Sequence, residues 1–150
     1  MGSSYTEFHG KGFWSRDSLI EVWLRFLSLH MVQAHDPGWQ HELRDRWLLQ
    51  SAGYFTGCVN ASLDEFLTDQ ERIAAILDVS ERTIRSLRLC GPKIPVEILN
   101  ALGMDNGWFV TYMPIEYMEL ISGRFMSLLR GELATDRSTS PVLPFTGGVP

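Results

Sequence analysis

The sequence predicts an all-α, single-domain bundle of about six or seven helices, with one short extended segment near 108–113. Three observations lead there. Apolar residues recur at helical spacing over most of the chain, and the stretches are bounded by Ser, Thr, Asp or Pro starts and Gly stops. The third is size: 150 residues, 45% of them apolar, make one core of ordinary dimensions.

Residues 1–14 are polar and glycine-bearing and read as an N-terminal arm that lays Phe13 and Trp14 on the domain. His9-Gly10-Lys11-Gly12 lacks the Gly-Lys-Ser/Thr ending of a phosphate loop. The helical domain spans 15–131. Its first helix runs from Ser15 to about Gln33, with Leu19, Ile20, Trp23, Phe26, Leu27 and Met31 as a broad stripe. Only Glu21, Arg25 and Ser28 leave a narrow solvent edge, so this helix belongs at the centre.

Asp36 caps a second helix with Pro37 in its first position. Leu43, Trp47, Leu48 and Ala52 form its inner face, and Gly53 stops it. The alternating charges of Glu42, Arg44, Asp45 and Arg46 mark a solvated or partner-facing edge. Tyr54–Asn60 is a connector, and 62–67 a short helix carrying Asp64 and Glu65.

Thr68 to Leu89 reads as two short helices. Thr68 and Glu71 form a capping box, and Ile73, Ile76 and Leu77 make the first apolar stripe. Asp78-Val79-Ser80 breaks it, Ser80 caps the next helix, and Arg82, Arg85 and Arg88 recur along one flank. Pro95 starts a helix closed by Gly103; residues 108–113 are extended without an evident partner strand. Pro114 opens a last helix, Ile115 to Arg130, stopped by Gly131. From 132 to 150 the composition turns to Thr, Ser, Pro and Gly, a flexible tail in which Pro141–Phe145 is a candidate docking segment.

Thr68–Leu89 resembles the helix-turn-helix of bacterial and phage DNA-binding regulators, over about 20 residues. Ala74 takes the place of close helix approach, and Val79, Ile84 and Leu87 the inward places; Asp78 stands where the turn usually carries Gly. The resemblance implies a recognition helix over 80–88, with Ser80, Arg82, Thr83, Arg85 and Arg88 contacting DNA and a homodimer supplying two half-sites.

Charge argues the other way. Eighteen acidic against thirteen basic residues give a net charge of -5, where a phosphate-binding protein usually shows a basic stripe. Small, acidic, helical and motif-poor, the chain resembles bacterial immunity proteins in overall character. That resemblance implies a cytoplasmic, non-enzymatic module that neutralises a basic toxin domain by covering its active site. The residues expected to steer onto the partner are Asp64, Glu65, Asp69 and Glu71, with Glu42 and Asp45. DNA binding is the alternative.

Chemistry finds little support. His9, His30, His35 and His41 lack ligand spacing, and His35 and His41 stand six apart across Pro37-Gly38. Cys58 and Cys90 show neither metal spacing nor a nucleophile's frame. No metal and no cofactor is expected. No signal peptide is apparent, and Glu21 and Arg25 interrupt the best apolar run, so no membrane span is expected.

Overall fold

The computed structural model describes residues 2–31, 34–105 and 108–133. Among them stand six helices and two small antiparallel sheets, so the fold is mixed α/β and the all-α expectation is corrected. The difference begins at the N-terminus. Strands β1 (Ser3–Phe8) and β2 (Lys11–Arg16) pair from Ser3↔Arg16 to Phe8↔Lys11. Their two-residue loop holds His9 and Gly10, both at positive φ (51° and 78°), the backbone of a type I′ hairpin.

The strand period was hidden because the hairpin's inner face is largely hydroxylic. Ser4, Thr6 and Ser15 are buried there beside Phe8 and Phe13. A binary reading scores those hydroxyls as solvent-facing and sees no alternation.

Helix α1 (Asp17–Leu29) packs against the hairpin and the later helices. Leu19, Ile20, Val22, Trp23, Leu24 and Leu27 are fully buried. Its expected solvent edge is also inside. Ser28 is buried and donates to Leu24 O at 2.8 Å; Glu21 is buried, and Arg25 half-buried. The Arg25 guanidinium donates to Ser51 Oγ (2.8 Å), Leu48 O (2.9 Å) and Leu102 O (3.3 Å).

Helix α2 (Gly38–Gln50) starts one residue later than expected, with Pro37 at the cap. Leu43 and Trp47 are its buried face, Trp47 Nε1–H donating to Ala61 O at 2.8 Å; Leu48 is only half-buried. Helix α3 (Leu63–Phe66) follows.

Helix α4 (Gln70–Arg88) is one continuous helix of 19 residues, and the turn expected at Asp78–Ser80 is not formed. Its cap is Asp69, accepting from Arg72 N at 2.8 Å, rather than the Thr68–Glu71 box. The supposed breakers are absorbed. Ser80 donates to Ile76 O (2.8 Å) and Thr83 to Val79 O (2.7 Å), while Asp78 accepts from Arg82 Nε at 3.0 Å. Ile73, Ile76, Ser80, Thr83 and Leu87 are buried in one uninterrupted 3-4-3-4 stripe.

Strands β3 (Lys93–Ile94) and β4 (Met113–Pro114) form the second sheet, so the extended segment finds its partner only at its last residue. Helix α5 (Val96–Ala101) lies between them, and α6 (Ile115–Leu129) closes the core against α1 and α4. Gly131, at φ 73°, ends α6 in a Schellman pattern: Glu132 N donates to Ser127 O and Gly131 N to Leu128 O. Phe125 of α6 meets Trp23 and Trp47 edge-on, with ring centroids 5.9 and 6.3 Å apart, at the middle of the core. Of the expected 132–150 tail, residues 134–150, including Pro141–Phe145, lie outside the described residues.

Candidate interaction face

The expected acidic residues come from three elements, and the structure gathers several of them. With Leu43 and Trp47 turned into the core, Glu42, Asp45 and Arg46 of α2 are left on the surface. Ser62, at φ 53°, turns the chain into α3 and leaves Asp64 and Glu65 exposed. Arg46 links the two helices, donating to both Glu65 oxygens at 2.8 and 3.0 Å. Its guanidinium also sits 5.4 Å from the Phe66 ring centroid. The hydrogen bond to Glu65 raises the Arg46 pKa above its ordinary value, with the Glu65 charge adding to it.

Between these helices lies a groove of about 490 Å³ lined by Glu42, Asp45, Arg46, Leu49 and Phe66. Leu49 is more than half exposed, an apolar side chain set among carboxylates. Asp64, next to Glu65 in sequence, accepts from His9 N at 3.0 Å, which ties the hairpin loop to α3. Asp69 is engaged as the α4 cap, and Glu71 is exposed in the first turn of that helix. Arg72 stacks 4.9 Å above the Trp39 ring of α2 and donates to Phe66 O, fixing the start of α4 against the same face.

Glu42 and Asp45 thus line one groove, and Glu65 is tied to it through Arg46; Asp64, Asp69 and Glu71 are not among its lining residues. Reading by charge alone missed Leu49, Phe66, Arg72 and Trp39. A usable signal was present in Leu49, an apolar residue outside the 43/47 inner register of its helix.

The alternative DNA-contacting set is scattered. Ser80 and Thr83 are fully buried and spend their hydroxyls on their own helix. Arg82 pairs with Asp78 and donates to His30 O, and Arg88 pairs with Glu119 of α6 at 3.1 Å. Arg85 is exposed. A separate α6–α4 pair joins Arg130 to Glu81 at 2.9 Å. Acids therefore neutralise much of the arginine row.

A second polar group lies under the hairpin. The Asp17 carboxylate accepts from Ser4 Oγ at 2.5 Å and Gly57 N at 2.8 Å, and Ser4 Oγ accepts from Val59 N at 2.9 Å. One turn on, burial pushes the Glu21 carboxyl up to about 8, with Asp17 adding to the rise and Arg25 opposing it. Burial also lowers the Arg25 pKa, against the charges of Asp105 and Glu21.

Of the histidines, His30 shares a bond with Phe26 O through Nδ1, while His9 and His35 are exposed. Among the described residues no group of three His, Cys, Asp or Glu side chains is placed to hold a metal ion. Cys58 is exposed and Cys90 half-buried. No helix of the described residues is long and apolar enough to cross a membrane. Compared with protein-family models, with curated proteins and with solved structures, the chain matches none.

Proposed function

We propose that this chain is a non-enzymatic, cytoplasmic protein-binding module of the immunity type, which neutralises a basic toxin-like partner by covering its functional surface with the α2–α3 face. One observation carries the reading: the groove sets the apolar surface of Leu49 and Phe66 among Glu42 and Asp45, with Glu65 tied to it through Arg46. The rim charges draw a basic surface in and raise the association rate. The apolar floor then supplies the desolvated centre that holds an interface together. The Arg46–Glu65 pair is exposed, so solvent screens it and it opens readily to a partner.

The experiment is capture from the source cells on immobilised wild type and on a Glu42→Lys/Asp45→Lys double variant, followed by co-expression of whatever is captured. A partner held by wild type, lost by the variant and made harmless by co-expression supports the reading. A partner held equally by both overturns it. The same proteins titrated with mixed-sequence duplex DNA at low salt test the alternative. Tight, salt-sensitive binding that Arg85→Ala weakens would replace the immunity reading with DNA binding.

A further inference from the structure

A different surface, around α5, points to a second binding site. Nine large apolar side chains are strongly exposed among the described residues, and four of them, Ile98, Trp108, Val110 and Tyr112, belong to α5 or to the segment entering β4. Trp108 and Val110 are each about two-thirds exposed, while Phe109 between them is buried. Asn100 enforces that alternation. Its side-chain amide accepts from Phe109 N at 2.7 Å and donates to Phe109 O at 3.0 Å, pairing with the main chain as a neighbouring strand would. The result is a groove of about 650 Å³ between α5 and the extended segment, within the size range of ligand sites.

Val96, Ala101, Phe109 and Val110 give this groove an apolar wall. Glu97 is the one charged residue among its described lining, and Trp108 the one large exposed aromatic. A carboxylate beside an exposed indole favours a cation, through ion pairing and the ring's negative face. The neighbouring Lys93 ammonium, 4.5 Å from the Tyr112 ring centroid, shows the same contact made internally. An anionic ligand would meet Glu97 unfavourably. In an isologous pair the same patch faces itself, which would set two Glu97 carboxylates in one apolar interface.

We infer that the α5 groove is a docking site for a short peptide segment carrying a lysine or arginine flanked by apolar side chains. The apolar flanks lie along the Val96–Phe109 wall, and the cation is shared by Glu97 and Trp108. This site is separate from the α2–α3 face, so either stands without the other.

The test is an amide-resolved NMR titration of the full chain with a blocked tetrapeptide of three leucines and one lysine, and with its glutamate counterpart. The lysine peptide is expected to shift the amides of 96–101 and 108–110 and the Trp108 indole, and the glutamate peptide to bind more weakly. Glu97→Gln should weaken the lysine peptide about threefold, and Trp108→Ala about tenfold. Both positions are exposed, and a conserved spectrum elsewhere confirms that the variants fold. Equal response to the two peptides overturns the proposal, as do shifts centred on the α2–α3 groove. Concentration-dependent broadening of the same amides without peptide would overturn it in favour of a second copy.

Discussion

The inner face of the hairpin and the buried stripe of α4 both place hydroxyl side chains in the core, and they treat them differently. In α4, Ser80 and Thr83 each find an acceptor one turn back in their own helix. On the strands the side chains stand perpendicular to the sheet while the neighbouring carbonyls lie in its plane, so a hydroxyl does not reach its own strand's main chain. Ser4 is rescued from outside by Asp17 and Val59, whereas Thr6 Oγ1 and Ser15 Oγ have no partner among the described residues. A helix can bury a hydroxyl from local resources. A strand needs another element to supply the partner.

The largest expected effect in this region comes from Glu21, one turn beyond Asp17. Its folded carboxyl, raised to about 8 by burial, keeps a proton that the unfolded chain releases near the ordinary carboxyl value of 4.5. Stability therefore falls as pH rises between those values, by up to about 1.4 kcal/mol per pH unit, and is flat below and above them. Denaturant titrations should show that slope in wild type and lose it in Glu21→Gln, with the variant's advantage greatest above pH 8. A wild-type slope of zero would mean that Glu21 is hydrated.

Asp17→Ala comes next. It removes the acceptor of both Ser4 and Gly57 N, and should cost about 2 kcal/mol, chiefly by leaving the buried Ser4 hydroxyl without its acceptor, since Gly57 is exposed. Thr6→Val should act in the opposite direction, raising stability by about 1 kcal/mol because an unpaired hydroxyl becomes a methyl. A loss instead would show that the hydroxyl has found water.

Asp78→Gly addresses the helix itself. Glycine in place of aspartate within a continuous α4 should cost about 0.5 kcal/mol, from lower propensity and the lost Arg82 pair, whereas in a turn at that position it would be neutral or stabilising. Thr83→Val should be the mildest, within about 0.5 kcal/mol of wild type, since Val79 O is served by the helix as well.

The same contrast explains which parts of the fold were legible. Leu19 to Leu27, Leu43 with Trp47, and the α6 stripe show their burial in their own chemistry, and the glycine stops at 103 and 131 fall where positive φ is needed. The hairpin and the unbroken α4 were not legible, because Ser4, Thr6, Ser15, Ser80 and Thr83 look like surface or cap residues. Their burial depends on partners far away in sequence, or on back-bonding that a one-letter pattern does not encode. The cap falls on Asp69 rather than Thr68, and both residue types cap well, so their identity alone does not choose between them. In the candidate face, Glu42, Asp45 and Glu65 were visible as charge, but their convergence needed the Arg46 bridge and the Leu49–Phe66 floor.

Arg25 has a consequence for how the two grooves relate. One guanidinium holds the carboxy-terminal end of α2, at Leu48 and Ser51, and the end of α5, at Leu102. The helices that wall the acidic groove and the apolar one are thereby pinned to a common point on the central helix, at a set spacing. A ligand long enough to reach both would meet a ruler: its second contact would form at high effective concentration when its own spacing matched, and not at all when it did not.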